Sequence, residues 1–161
     1  MVIGKTAQKL INRFNSLHDD LTSFVANCSD EDWQKVTSAE KWSVGVVGHH
    51  IGAVHYDTID WVKMMVAGED LPAVTMKMVD KTNAQDAQEN ANCTQADVLA
   101  LLQNKGHEVV STLATLSDED FQRKAYLKLL NFEPTAKQLV NIVIIRSSQG
   151  HLQSMKNTVG T

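Results

Sequence analysis

Four long stretches of this chain repeat apolar side chains at steps of three and four residues, and no stretch alternates apolar and polar residues between turn signals. Helices are therefore the only regular element that the sequence supports. The first stretch runs from Lys5 to Asn27, with Leu10, Ile11, Phe14, Leu17, Leu21, Phe24 and Val25 along one stripe. The second opens at Trp42-Ser43-Val44-Gly45, carries Val47, Ile51, Val54, Thr58, Trp61, Val62 and Met65, and ends near Gly68. The third starts at the capping pair Thr94 and Asp97 and holds Val98, Leu101, Leu102, Val109, Val110, Leu113 and Leu116, with Gly106 as its weak point. The fourth begins behind Pro134, where Thr135 and Gln138 form another capping pair, and passes Leu139, Ile142, Val143, Ile144 and Ile145 to reach Ser147, His151 and Met155.

Residues 69–92 are polar, contain Leu71-Pro72 and lose the apolar period before Asp80, Asn83, Asp86 and Asn90, which predicts a long connection with one short turn. Ser29-Asp30-Glu31-Asp32-Trp33 and Ser117-Asp118-Glu119-Asp120-Phe121 are near copies. Each follows a long helix, so the chain reads as two related helix pairs. The expected fold is all-α: one four-helix bundle over residues 1–161, with a long crossover connection between the second and third helices. At 161 residues and 43% hydrophobic, the chain can bury a core without a disulfide or metal to hold it, so any ion would be functional or incidental.

Charge and cysteine usage narrow the partners. Fifteen basic against nineteen acidic residues leave a net charge of −4, the wrong sign for a protein that neutralises phosphates, and Arg123, Lys124 and Lys128 make only a small basic cluster. No nucleic-acid partner is expected. Cys28 and Cys93 form neither a close-spaced metal motif nor a CxxC, which points to a reducing, cytoplasmic setting. The opening Met-Val-Ile-Gly-Lys-Thr lacks a basic stretch followed by an apolar run, so no secretion signal is expected. No apolar segment approaches the length of a bilayer, and no membrane partner is expected either.

Bundles build sites between facing helices, so the polar residues that interrupt the apolar stripes matter most. His50 shares a stripe with Val47, Val54 and Trp61, and His151 lies one turn after Ser147 on the fourth helix. Two imidazoles converging from different helices are the start of a site for zinc, nickel, copper or iron, and catalytic sites commonly use three protein ligands. The plainer reading of an inward histidine is a hydrogen-bonded core residue; that, or a surface position, is the expectation for His18, His55 and His107. Trp33, Trp42 and Phe121 sit beside helix starts, where an aromatic closes the end of a core. Arg146 reads as the ion-pair partner of an acidic neighbour, and Met76 with Met78 as adaptable packing over a pocket mouth. Ser147 and His151 are spaced for a hydrogen bond, but no acid or oxyanion hole accompanies them, so a serine hydrolase is not supported. Gly45, Gly48 and Gly52 crowd the start of the second helix at a cost in helix stability, and so mark a close approach there. The candidates are the fourth helix, the second helix of a partner copy, or a ligand beside His50.

The Ser29–Trp33 element, Trp42-Ser43-Val44-Gly45 with His50 eight residues after the tryptophan, and a last helix ending in His151 together resemble the DinB-like superfamily over almost the whole chain. Mycothiol-dependent maleylpyruvate isomerases look like relatives. The resemblance implies a four-helix bundle, often a homodimer, that binds a divalent metal through three histidines. One ligand falls on the second helix, at His50, and a pair spaced i and i+4 falls on the fourth, at Ser147 and His151. Serine at 147 departs from that pattern. The expected metal residues are therefore His50, His151 and Ser147, with zinc or nickel as the ion and Ser147 positioning a water. His49, His55 and Asp57 could each add a donor, though none has the family's spacing, and His49 is turned by about 100° from His50. Two functions follow. One is a metal-dependent enzyme in which an activated thiol or water attacks a small electrophile in the bundle cavity, with the thiol cosubstrate unidentified. The other is a non-catalytic, dimeric stress-associated or small-ligand-binding protein without metal, its histidines in the core and its glycine-rich face at the interface.

Overall fold

The computed structural model describes residues 2–161, and every regular element among them is helical. Helix α1 spans Lys5–Asn27 and the short α2 spans Asp30–Gln34. Helix α3 is a continuous run over residues 44–67: Val44–His50, a π-helical Ile51–His55, a 3-10 turn Tyr56–Thr58, and Ile59–Ala67. Helices α4 (Met76–Glu89) and α5 (Gln95–Thr115) follow. Helix α6 covers residues 136–159 as Ala136–Leu139, a π-helical Val140–Arg146, and Ser147–Val159. The four long helices stand where the apolar period puts them, and α3, α5 and α6 have chemically marked ends. The Ser43 hydroxyl accepts from Val46 N, reciprocal capping boxes open α5 and α6, and Gly68 closes α3 at φ 77°, a left-handed conformation that suits glycine.

Helix α1 lies along α5 and also touches α6, while α3 packs against both α5 and α6. Consecutive members of each pair thus face one another across the core. Phe14 of α1 meets Tyr56 of α3 edge to face at 4.9 Å, and both rings are fully buried. The two halves repeat in detail. Ser29 and Ser117 each accept a backbone N–H three residues on, Trp33 and Phe121 are both buried, and single bridges, Val36 to Ser43 and Lys124 to Thr135, lead into α3 and α6. Both following helices contain a π-helical segment.

Three expectations need correction. The crossover is not a long connection with one turn: it holds the 14-residue α4, capped by Thr75. Its inner face is spelled by Val79, Asn83, Asp86 and Asn90, all partly buried; three are polar, so hydropathy is blind to the period. The glycines of α3 admit neither α6 nor a partner copy. A Cβ on Gly45 would stand 2.5 Å from the Trp33 ring, one on Gly52 2.9 Å from Leu101 Cγ, and one on Gly48 3.3 Å from Val98, so Trp33 and α5 of the same chain occupy that face. Arg146 is exposed and makes no salt bridge among the described residues. Gly106, by contrast, has a use: a Cβ there would lie 2.6 Å from the His18 ring, whose Nδ1 is hydrogen-bonded to the Tyr56 hydroxyl at 3.0 Å.

Candidate metal centre

The π-helical segment of α3 sets the site. In a regular α-helix two residues five apart point about 140° away from each other; a π-turn absorbs one residue, so that i and i+5 take nearly the relation of i and i+4. Here the backbone N–H of Tyr56 bonds to Ile51 O, five residues back, and His55 returns to the face of His50. The two imidazole rings meet edge to face with centroids 4.9 Å apart. His151 reaches across from α6 to complete the group, 5.2 Å from His50 and 4.9 Å from His55, centroid to centroid. One donor nitrogen from each of the three lies within 4.8 Å of the others.

Protein acceptors fix the outer nitrogens. His151 Nδ1 donates to Glu40 Oε1 at 2.7 Å, and His55 Nδ1 donates to the carbonyl of Val143 at 3.1 Å. Both Nε2 atoms are thus turned inward, away from those acceptors, and they lie 3.0 Å apart. Glu40 comes from the loop before α3, next to Lys41 at φ 65°, and its side chain is only 9% exposed. Burial opposes its ionisation, but hydrogen bonds from Ser154 and His151 prevail and hold the carboxyl below its usual range. Ser154 Oγ donates to the second oxygen at 2.7 Å. His50 is 5% exposed with Trp42 edge-on at 5.1 Å; burial, with His151 adding to it, pushes its pKa down to about 4. Burial likewise lowers His55 to about 3, with His50 and His151 contributing. These two rings are neutral and ready to donate at ordinary pH.

The donor set suits a divalent ion of borderline softness: three imidazoles, one with a carboxylate on its far nitrogen, the usual way such a ligand is oriented. Two nitrogens on one tetrahedral zinc would be about 3.3 Å apart, close to the Nε2 separation present without it.

Of the three residues expected at a metal, the structure brings His50 and His151 together and leaves Ser147 out. The Ser147 hydroxyl donates to Ile142 O at 3.0 Å, the same carbonyl that takes the Ser147 backbone N–H in the π-helical stretch of α6, and the third imidazole is His55. His49 faces α4, with Nδ1 3.7 Å from Asp86, and Asp57 pairs with Lys105. His18 and His107 keep the plain roles expected, a hydrogen-bonded partner of Tyr56 and an exposed position. Trp33 closes the core and donates to Cys93 O at 2.9 Å, whereas Trp42 flanks His50. Spacing does not reveal Glu40, which reaches the site through a loop turn. The only signal for it was a lone carboxylate two residues before Trp42.

Fold and site together define a four-helix bundle with an internal three-histidine group at the junction of its two halves. The chain belongs to the DinB superfamily, whose family model matches residues 13–152. Its fold is that of YfiT from Bacillus subtilis, a probable metal-dependent hydrolase with an unusual four-helix bundle topology, at a TM-score of 0.79 and 19% identity, over 99% of this chain and 91% of that one. No curated protein matches the chain by sequence.

Proposed function

We propose that the protein holds a divalent ion, zinc or nickel, on His50, His55 and His151 and uses it for hydrolysis of a small molecule. The pair of Nε2 atoms at 3.0 Å carries the reading. With both Nδ1 atoms committed to Glu40 and Val143, the two Nε2 atoms face one another, and a divalent cation between them would take a lone pair from each. Such an ion supplies Lewis acidity, making water a nucleophile near neutral pH and polarising a carbonyl. The chain's own groups do the rest. Glu40 and the Val143 carbonyl fix ring orientation, Ser154 holds Glu40, and burial with Trp42 keeps bulk water from His50. The description of YfiT as a probable metal-dependent hydrolase supports hydrolysis over the thiol chemistry that the resemblance to mycothiol-dependent isomerases implies. Ser147 has no ligand role in this reading.

Calorimetric titration of metal-stripped protein with zinc and with nickel is the test. One ion per chain is expected, with at least 100-fold weaker binding in His55→Gln and unchanged binding in Ser147→Ala. Absence of saturable binding, or loss of it in Ser147→Ala alone, would overturn the proposal.

A further inference from the structure

The geometry points to neutral, largely apolar small molecules as the ligands of this centre, entering a cleft under α4 and presenting one polar group to His50 and His55. The chemical use of the bound molecule rests on the metal reading above; its binding does not. A cleft of about 370 Å³, ordinary for a small-molecule site, opens beside the two imidazoles. Its walls are Val54 and Trp61 of α3, Val79 of α4, Leu127 and Leu130 of the segment before α6, and Val143 of α6. Among the lining residues only Asp57 carries a formal charge, and its carboxylate is paired with Lys105 Nζ at 2.5 Å. No lysine or arginine lines the cleft. In the metal-free cleft an anionic ligand would leave water without a counter-charge and approach Asp57, which costs far more than placing a neutral one there. A cationic ligand would find that carboxylate already occupied.

The mouth agrees with the interior. Met78 is 50% exposed and Leu130 46% exposed, each lining the cleft, so apolar side chains meet solvent where a ligand would enter. Helix α4 buries none of its residues fully, yet Met78, Val79, Thr82 and Asn83 roof the cleft. A hydrophobe beneath it would supply the apolar partner that the helix lacks. Thr82, Asn83 and Thr58 are the neutral polar groups available to orient it. Walls on several sides and the modest volume fit a small molecule rather than a helix or a second copy.

The experiment titrates the neutral fluorescent probe N-phenyl-1-naphthylamine into metal-free protein, then displaces it with methyl hexanoate or with hexanoate at pH 8. Saturable binding at one probe per chain is expected, with displacement by the ester at least tenfold more effective than by the anion. Val79→Asp, which puts a charge in the wall, and Thr82→Trp, which fills the cleft from an exposed position, should each weaken the probe at least tenfold while the helical circular dichroism stays unchanged. No saturable binding, indifference to Thr82→Trp, or equal displacement by ester and anion would overturn the inference. Zinc titrated into the same samples separates the two readings: probe binding without zinc binding leaves this inference standing and removes the metal centre.

Discussion

His55 shows how much a single side chain's role depends on backbone that sequence periodicity does not report. Counted at 100° per residue it points away from His50, and the expectation was an ordinary core or surface position. His50 and His151 were legible because each lies on an apolar stripe of a long helix; His55 was not, because the π-turn that rotates it has no signature in hydropathy. Glu40 was illegible for a different reason, since its place depends on a loop turn through Lys41 at positive φ. Its role is measurable. Glu40→Gln keeps the shape but removes the charge behind His151, and metal affinity by calorimetry should fall 10- to 100-fold with the melting temperature of metal-free protein little changed. The buried imidazoles also set a pH dependence. His50 and His55 titrate near 4 and 3 when folded and near 6.5 when unfolded, so the unfolded chain binds more protons between those values. The stability of metal-free protein should be complete above pH 6.5 and fall as pH drops toward 4, by about 1.4 kcal/mol per unit for each ring, as read from denaturant midpoints at pH 7, 6 and 5.

At the level of elements, the apolar period alone located Lys5–Asn27, while capping pairs and period agreed at the starts at Thr94 and Thr135. Helix α4 escaped because the residues on its inner face are mostly polar, packed against the bundle by Asp86 toward His49 rather than by a greasy stripe. The glycines of α3 were correctly legible as a close approach, but the sequence does not say to what. Gly45 admits the Trp33 indole, which in turn donates to Cys93 O and so ties α2, α3 and the start of α5 together. Gly45→Ala forces a methyl group to within 2.5 Å of that ring and should cost about 1–3 kcal/mol in chemical denaturation. Gly150→Ala, where a Cβ meets nothing within 4 Å, should be neutral or slightly stabilising in the same assay.

On the scale of the whole molecule, the near-copies at Ser29 and Ser117 announced two related halves, and the structure extends the likeness to the bridges and the π-turns. What the repeat could not announce is its asymmetry: the first half brings His50 and His55, the second His151 alone. Any homodimer must use a face other than the glycine-rich one, which is already covered from within. Neither half has a full core of its own, because α1 and α3 touch each other mainly at Tyr56 and otherwise pack on α5 and α6. Cut in the exposed stretch between Glu69 and Asp70, the two pieces should therefore be largely unfolded apart and recover helicity on mixing. Zinc should tighten their association at least tenfold in wild-type pieces and not at all when His151 is replaced by alanine, as followed by circular dichroism. A centre whose donors are divided two and one across a seam acts as a rivet. In such a molecule the availability of metal would be an assembly signal as well as a condition for chemistry.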